Sequence, residues 1–378
     1  MKKTLAVVLI ALFALSSFFG CSVVTELRRS LSACISPDTP APDPTDPPVA
    51  VVTDVPEPVV TDVPEPVATD TPEPTDTPSP EPTEEPTPEP TDTPSPEPTE
   101  PPTPVPSSFL FGGVEVMAGQ ASVSVTGKKN AIIKITPEEM DMLIKLCPNL
   151  TNLDLAYCCM PDYSRIGELT NLKHLLITST THEKDPGIPL VDIDWVASLK
   201  NLRYLHLTYN KINDIRAIAN LTNLEQLNLG WNELADDDLE WLTGLHLKEL
   251  YLYCNAPLRD VSALSKIKSL ELLHIGGNKK VKGLKALTAL SNLKTLDISY
   301  CPNDGFGWIK DFKKLETLRI EYSAYINHDA YADLRLCKTL KKVVISKQDK
   351  KTETAIKDMI KDYKSKIEIA YWEDYSGN

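Results

Sequence analysis

Histidine and cysteine are the side chains most able to act as nucleophiles, proton carriers or metal ligands, and the chain has six and eight of them. They form none of the familiar reactive patterns, because the sequence contains no HExxH, CxxC, GxSxG or phosphate-binding glycine loop. The acidic run at residues 236–238 is better explained as a solvated turn or the start of a helix. The sequence therefore predicts neither an enzyme nor a cofactor.

The net charge of −14 is concentrated in one segment. Residues 37–106 hold 25 of the 32 prolines and 17 acidic residues, with no lysine or arginine. The later part of this segment, residues 71–104, has almost no apolar side chains, so we expect a disordered, extended spacer. A ligand for proline-binding domains and a glycosylated stalk are the alternatives. Residues 107–378 carry 35 basic and 35 acidic residues, which excludes the basic face of a nucleic-acid-binding protein.

The first 21 residues have the layout of an export signal. Two lysines precede an apolar stretch at residues 5–19, and Gly20 and Cys21 follow it. This order resembles a bacterial lipoprotein signal, in which the cysteine is lipidated after cleavage. Phe18 departs from that family, which prefers leucine three residues before the cysteine. The resemblance implies lipidation at Cys21.

Other arrangements of the N-terminus remain open. Cys34 follows a better local motif but stands apart from the apolar stretch, at the end of a short tether over residues 22–36. An uncleaved anchor over residues 5–24 is long enough to span a bilayer, and simple secretion is the third possibility. All three place the rest of the chain outside the cytoplasm, and the lipoprotein prediction anchors it to the membrane and exposes it at the surface.

The remainder of the chain is periodic. The template L-x-x-L-x-L-x-x-N fits residues 202–210 and occurs, with substitutions, nine times in all. One such repeat cannot cover its own apolar stripe, whereas stacked repeats bury a continuous core. The first leucine of each match stands at residues 150, 172, 202, 224, 247, 270, 293, 315 and 340.

These repeats resemble those of leucine-rich repeat proteins, in particular the short bacterial 22-residue type of the internalins. Residues 210–221 match the second half of that repeat, N-x-I-x-D-I-x-x-L-x-x-L, with Ile218 in place of its first leucine. The resemblance implies an α/β solenoid, the leucine-rich repeat horseshoe, with a parallel concave β-sheet and short helical or 3-10 segments on the convex side. We expect the repeats to span residues 150–348.

The last template position is predicted to be structural. Buried backbone groups need hydrogen-bond partners, and an asparagine amide can supply them in the turn after each strand. Small or polar residues replace asparagine in the other repeats. The asparagines are Asn210, Asn232, Asn255 and Asn278, and the substitutes are Cys158, Thr180, Cys301, Ser323 and Gln348.

Each end of the array needs a cap. Over residues 107–149 we expect strands at 114–117, 122–125 and 131–135, then a helix that begins with the Thr136, Pro137 and Glu139 capping box. Over residues 349–378 we expect a lysine-rich amphipathic helix at 352–364 and a closing strand at 366–371.

The repeat spacing also predicts that the cysteines form no disulfides between repeats. Cys254 and Cys301 lie two repeats apart, about 10 Å, whereas a disulfide needs Cα atoms within about 7 Å. The 30-residue spacing places eight extra residues within 179–190, where His182, Glu183 and Asp185 stand. A solvated loop is the main interpretation, with a partner contact or a metal site as alternatives, although no known ligand spacing fits.

Side chains between the leucines of each strand point to the concave face. This face is rich in tyrosine and tryptophan and poor in lysine, a composition typical of interfaces. Gly230, Gly276 and Gly277 are expected to leave hollows between aromatic ridges. The predicted ligand-binding residues are Tyr157, Tyr204, His206, Tyr209, Asn228, Trp231, Tyr251, Tyr253, His274, Asp297, Tyr300, Arg319 and Tyr322.

The predicted function is adhesion or recognition through a protein partner on a host or bacterial surface. The alternative is a carbohydrate-binding module for cell-wall or environmental glycan, since aromatic rows also stack on sugars. A third interpretation is that the rings only cover the sheet. His206 and His274 stand three repeats apart, too far to share a metal ion or a catalytic proton.

Overall fold

The computed structural model of the protein describes residues 106–181, 187–321, 328–347 and 349–371. The predicted export signal with Cys21, the tether at 22–36 and the linker up to residue 105 lie outside these ranges. Three predicted features inside the repeats also fall outside them: the loop residues His182, Glu183 and Asp185, the site residue Tyr322, and the turn residues Ser323 and Gln348.

Most of the described strands join one parallel sheet of 11 strands, in the order β15-β14-β13-β12-β11-β10-β9-β8-β7-β5-β3. This architecture confirms the predicted leucine-rich repeat solenoid. The strands are β1 (Ser108–Phe111), β2 (Val114–Met117), β3 (Ser122–Thr126), β4 (Ile133–Lys134), β5 (Asn152–Ala156), β6 (Cys158–Cys159), β7 (His174–Thr178), β8 (Tyr204–His206), β9 (Gln226–Asn228), β10 (Glu249–Tyr251), β11 (Leu272–His274), β12 (Thr295–Asp297), β13 (Thr317–Arg319), β14 (Lys342–Ile345) and β15 (Glu368–Tyr371).

The repeats stack in register because the same template position meets itself in the next repeat. Leu205 on β8 pairs with Leu175 on β7 and with Leu227 on β9. These central leucines are fully buried, and so are the leucines on either side of them, such as Leu202 and Leu207. Burial of one leucine contributes about 1.5–3 kcal/mol, so the stacked array, and not any single repeat, supplies the stability.

Short 3-10 segments cover the convex side, as predicted. One of them begins in the acidic run at 236–238, where the Asp236 carboxylate accepts the backbone N–H groups of Arg259 and Asp260 at 2.6 and 2.9 Å. That carboxylate therefore links two repeats in addition to facing solvent. The segments are Ser164–Glu168, Asp194–Ser198, Arg216–Asn220, Asp237–Leu242, Ser262–Lys266, Leu284–Ala289, Ile309–Asp311 and His328–Leu336.

The asparagine column bonds the backbone as expected. Asn255 Nδ2 donates to the carbonyl oxygens of Leu229 and Leu252, both at 3.0 Å, and its Oδ1 accepts the Leu234 N–H at 3.1 Å. Where cysteine replaces asparagine the thiol donates in its place, and Cys301 Sγ lies 3.2 Å from the Ile275 oxygen. Each amide thus connects the turn of its own repeat with the repeat before it.

Helix α1 (Pro137–Leu146) caps the N-terminal end. Thr136 is its N-cap, and the reciprocal bonds between Thr136 and Glu139 complete the predicted capping box. The hairpin of β1 and β2 is antiparallel, and the strand expected at 131–135 is only the two residues of β4, paired with β6. It is short because the isolated bridge between Lys128 and Ala131 turns the chain just before it.

Helix α2 (Lys350–Tyr363) and β15 cap the C-terminal end. The helix begins two residues earlier than expected because the Asp349 side chain accepts the Thr352 N–H at 3.2 Å and caps it. Glu353 accepts bonds from Lys357 and from the Tyr371 hydroxyl, both at 2.6 Å, and so ties the helix to β15. The bond from Lys350, followed by those from Lys357 and Tyr371, holds the pKa of Glu353 at about 2, below its usual range.

A row of alternating charge runs along the N-terminal ends of β8 to β14; we call it the charge ladder. Its members precede the strands by one residue: Arg203, Glu225, Lys248, Glu271, Lys294, Glu316 and Lys341. Glu225 bonds both Arg203 and Lys248, the latter at 2.6 Å. Glu271 and Lys294 form another pair at 2.7 Å. The alternation was not recognised in the sequence, because it appears only when the repeats are aligned.

The six cysteines within the described ranges are buried free thiols: Cys147, Cys158, Cys159, Cys254, Cys301 and Cys337. Burial raises the pKa of Cys158 to about 12, so its thiol stays protonated. Among the described residues, no helix combines the length and the apolar character needed to cross a membrane.

Candidate functional site

The concave face is made of the strand residues that alternate with the buried leucines. It is less open than the sequence suggests, because neighbouring strands are close enough for their side chains to cover one another. His206, Tyr253 and Asp297 keep only 6%, 6% and 4% of their surface exposed. Tyr204 is 40% exposed, and the remaining described members of the predicted set are half-buried: Tyr157, Tyr209, Asn228, Trp231, Tyr251, His274, Tyr300 and Arg319.

A second feature lies at the C-terminal edge of this face, one residue before the asparagine column. Six residues there have left-handed backbone, with φ between 54° and 59°: Tyr157, Ser179, Tyr209, Trp231, Cys254 and Tyr300. Left-handed backbone costs a non-glycine residue about 1–2 kcal/mol. The alternation of side-chain directions along each strand therefore ends at this edge column. The rings of Tyr209 and Trp231 stack, with centroids 4.8 Å apart.

A polar cluster occupies the concave face at β5 to β9. His174 Nε2 lies 2.9 Å from Asp154 Oδ1, and the rings of His174 and His206 are 6.4 Å apart. Gln226 Nε2 stands 3.1 Å from His206 Nε2, so a neutral His206 accepts the amide proton there. Burial, and then His174, lower the pKa of His206 to about 4. The imidazole of His206 is therefore neutral at pH 7.

A second cluster connects β10 to β13. The rings of Tyr253 and His274 stack at 4.7 Å, and His274 Nε2 lies 3.2 Å from Asp297 Oδ2. Arg319 Nε is 3.4 Å from the same carboxylate oxygen. Burial opposes ionisation of Asp297, but His274 and Arg319 outweigh it and lower its pKa. Burial lowers the pKa of His274, against the opposing effect of Asp297.

The glycines do not leave the expected hollows. A Cβ at Gly230 would lie 2.4 Å from the ring of Tyr253, which fills that place. A Cβ at Gly277 would lie 2.5 Å from Cys254 Sγ, and one at Gly276 would lie 3.1 Å from His274 Nε2. These positions are glycine because a neighbouring side chain already occupies the space. The prediction of hollows between aromatic ridges is therefore wrong.

The described residues contain no group of three or more histidine, cysteine or acidic side chains placed to hold a metal ion. Sequence reasoning omitted Asp154, His174 and Gln226 from the site, although they complete the first cluster. Their signal was available, because His174 and Gln226 stand in concave columns of the two strands adjacent to His206, and Asp154 stands in one on the next strand, β5.

Comparison with known proteins gives the following matches. A family model for leucine rich repeat matches residues 188–234. An internalin from Listeria monocytogenes (InlF) is 20% identical, with 66% of this chain and 86% of that chain covered and a TM-score of 0.37. Internalin C2 from the same organism is 26% identical, with coverages of 47% and 80% and a TM-score of 0.39.

A plant structure is also similar. The ectodomain of the Arabidopsis receptor kinase HAESA, solved with an extended IDA peptide hormone, is 21% identical, with coverages of 62% and 38% and a TM-score of 0.41. No curated protein matches the chain.

Proposed function

We propose that this chain, a leucine-rich repeat protein, binds a protein partner through the concave face of its repeat array and acts in adhesion or recognition at a cell surface. The observation that carries the proposal is a set of partly exposed rings on neighbouring strands of one rigid sheet. Tyr204 and Tyr251 stand on strands two repeats apart, and Trp231 stands at the edge of the strand between them. Rigid aromatic anchors limit the entropy lost on binding.

A glycan is the second candidate ligand, and the Tyr209–Trp231 stack favours it. Aromatic pairs of this kind offer a flat apolar surface on which a sugar ring can lie. Each ring covers one face of the other, so only the outer faces remain for a sugar. A glycan would therefore depend on one or two rings, whereas a protein interface would depend on several columns together.

The proposed location follows from the N-terminal sequence. Lipidation at Cys21 would anchor the chain to the membrane, and the tether and acidic linker would hold the repeats away from it. Labelling with a fatty-acid analogue in a lipoprotein-forming host tests the anchor. Loss of label in Cys21→Ser but not in Cys34→Ser supports it, and label that persists in Cys21→Ser contradicts it.

A capture experiment tests the binding face. The full chain, a Tyr204→Ala/Tyr251→Ala variant and a Trp241→Ala control are exposed to host and bacterial surface extracts. Trp241 is 44% exposed on the convex side, so its loss removes an exposed ring without touching the concave face. Retained proteins and glycans are identified by mass spectrometry.

We expect an identified protein that the wild-type chain and the control retain and that the double variant loses. Retention of glycan alone would favour the carbohydrate-binding alternative. Equal retention by all three chains would show that the concave face is not the site.

A further inference from the structure

Arg319 has more hydrogen-bond donors than the structure uses. Its guanidinium has five N–H donors, and its ion-pair partner among the described residues is Asp297, which faces Nε at 3.4 Å. That distance exceeds the 2.7–2.9 Å typical of charged hydrogen bonds, and Nε itself makes no hydrogen bond within the described ranges. The two terminal nitrogens face no acceptor in the described part of the chain.

Asp297 is already in contact with other donors besides the arginine. Its Oδ1 accepts the Ser299 N–H at 3.0 Å, and its Oδ2 is shared between His274 and Arg319. The neighbouring strand on the other side offers Val344, which is apolar and 4% exposed. Asp297 therefore fixes the guanidinium from one side and leaves its outer edge, on a side chain 33% exposed, directed to the concave surface.

We propose that Arg319 binds a carboxylate of an acidic peptide segment of the partner protein, which lies across β12 and β13 on the concave face. The proposal rests on the proposed function and names the chemistry of the partner. A planar guanidinium with two adjacent donors matches a carboxylate in a bidentate arrangement.

The surrounding charges favour a carboxylate over a phosphate. The pKa of Asp297 is lowered, so this carboxyl is ionised beside Arg319. It would repel a dianion about twice as strongly as a monoanion, and a monoanion still uses both donors. The half-buried Leu272 and Tyr300 supply apolar contacts for the residues that flank the acid.

The experiment is selection from a random 12-residue peptide library displayed on phage, with the full chain as bait. Synthetic versions of the enriched peptides are then measured by calorimetry. We expect the enriched peptides to share an aspartate or glutamate. Its replacement by asparagine or glutamine should weaken binding to the wild-type chain about 10- to 100-fold, the effect of a lost charged hydrogen bond.

Variants assign the effect to Arg319. In Arg319→Gln the same peptide change should alter affinity less than about 3-fold. Arg319→Lys keeps a positive charge beside Asp297, so it controls for misfolding caused by loss of that charge. It should restore only part of the affinity, because lysine lacks the two parallel donors of a guanidinium. Lys310→Gln removes one exposed positive charge from the convex side and should have no effect.

Several results would overturn the proposal. Enriched peptides without a shared acid, an acid effect that persists in Arg319→Gln, or no enrichment at all would each do so. Binding of a phosphopeptide or a hexuronic acid oligosaccharide in preference to the acidic peptides would do so as well.

The outcome also separates this inference from the proposed function. Peptides that Tyr204→Ala/Tyr251→Ala loses but Arg319→Gln retains would overturn the role of Arg319 and leave the concave face as the binding site. Peptides that both variants retain would overturn both.

Discussion

Individual residues on this face differ more than their shared template positions suggest. The concave columns hold buried side chains such as His206 and Tyr253 next to exposed ones such as Tyr204. The edge column adds a backbone conformation that L-amino acids avoid. Persistent strain of this kind is expected where surrounding structure enforces it, and here the turn before each asparagine does so.

The edge column gives a first prediction, that Ser179→Gly stabilises the fold. Left-handed backbone at Ser179 (φ 57°) costs about 1–2 kcal/mol, which exceeds the roughly 0.5–1 kcal/mol by which glycine favours the unfolded chain. We expect a net gain of about 0.5 kcal/mol in urea denaturation. Thr178→Gly, one residue earlier in β7, is the control and should destabilise. A loss in both variants would show that the left-handed backbone is not strained.

The histidine cluster predicts a pH dependence of stability. The pKa of His206 is about 4 in the folded chain, below its ordinary value of 6.5. The unfolded chain therefore takes up the proton first as pH falls, and the contribution of His206 to stability is lost between pH 6.5 and 4.

His206→Asn should reduce the slope of unfolding free energy against pH in that window. Asparagine is the residue that the next repeat uses at this position, Asn228. The measurement is denaturant unfolding from pH 7.5 to 4. Equal slopes for wild type and variant would mean that His206 is not held neutral.

At the scale of the element, the hydrogen bonds of the turn join each repeat to its neighbour as much as those of the strand do. The strands of three residues have few ladder hydrogen bonds of their own, and the asparagine amide joins consecutive turns. At the two ends of the array, side chains also satisfy backbone groups, because Thr136 and Asp349 accept N–H groups in the first turns of helices α1 and α2.

Asn255→Ala should therefore destabilise the array by about 3 kcal/mol, because it removes three hydrogen bonds and leaves buried backbone groups unpaired. Asn255→Cys should cost clearly less, since Cys301 shows that a thiol can donate at this position. Thermal unfolding of both variants is the measurement. Equal losses would indicate that the thiol bond contributes nothing.

At the scale of the whole molecule, each repeat must stack on its correct neighbours. The hydrophobic core is nearly the same in each repeat, so it does not distinguish one repeat from its neighbour. The charge ladder does distinguish them, because the sign of its members alternates from repeat to repeat.

Glu225→Lys should lower the free energy of unfolding by about 1 kcal/mol, because it extends the positive charges of Lys173 and Arg203 into a row of four that ends at Lys248. Glu225→Gln should cost less, as it removes the attraction without adding repulsion. The loss in Glu225→Lys should shrink at 1 M salt, where the Debye length is about 3 Å. A loss that is independent of salt would point to packing instead.

The sequence predicted the repeat fold, the asparagine bonds and the N-terminal capping box, because each depends on one residue type at a fixed spacing. It did not predict which site residues are buried, since exposure at Tyr253 or Asp297 depends on side chains from neighbouring repeats. The glycines show the same limit, as Gly230 accommodates a ring that stands 23 positions later. The left-handed edge column was also missed, because tyrosine and tryptophan do not signal that backbone.

The charge ladder has a consequence for how such an array can change in length. Deleting the single repeat that carries Glu225 would bring Arg203 beside Lys248, two like charges. Deleting two consecutive repeats would bring Arg203 beside Glu271 and restore the alternation. A pair of repeats is therefore the unit that can be lost, duplicated or exchanged without placing like charges of the ladder side by side. The hydrophobic core, in contrast, has the same pattern in every single repeat.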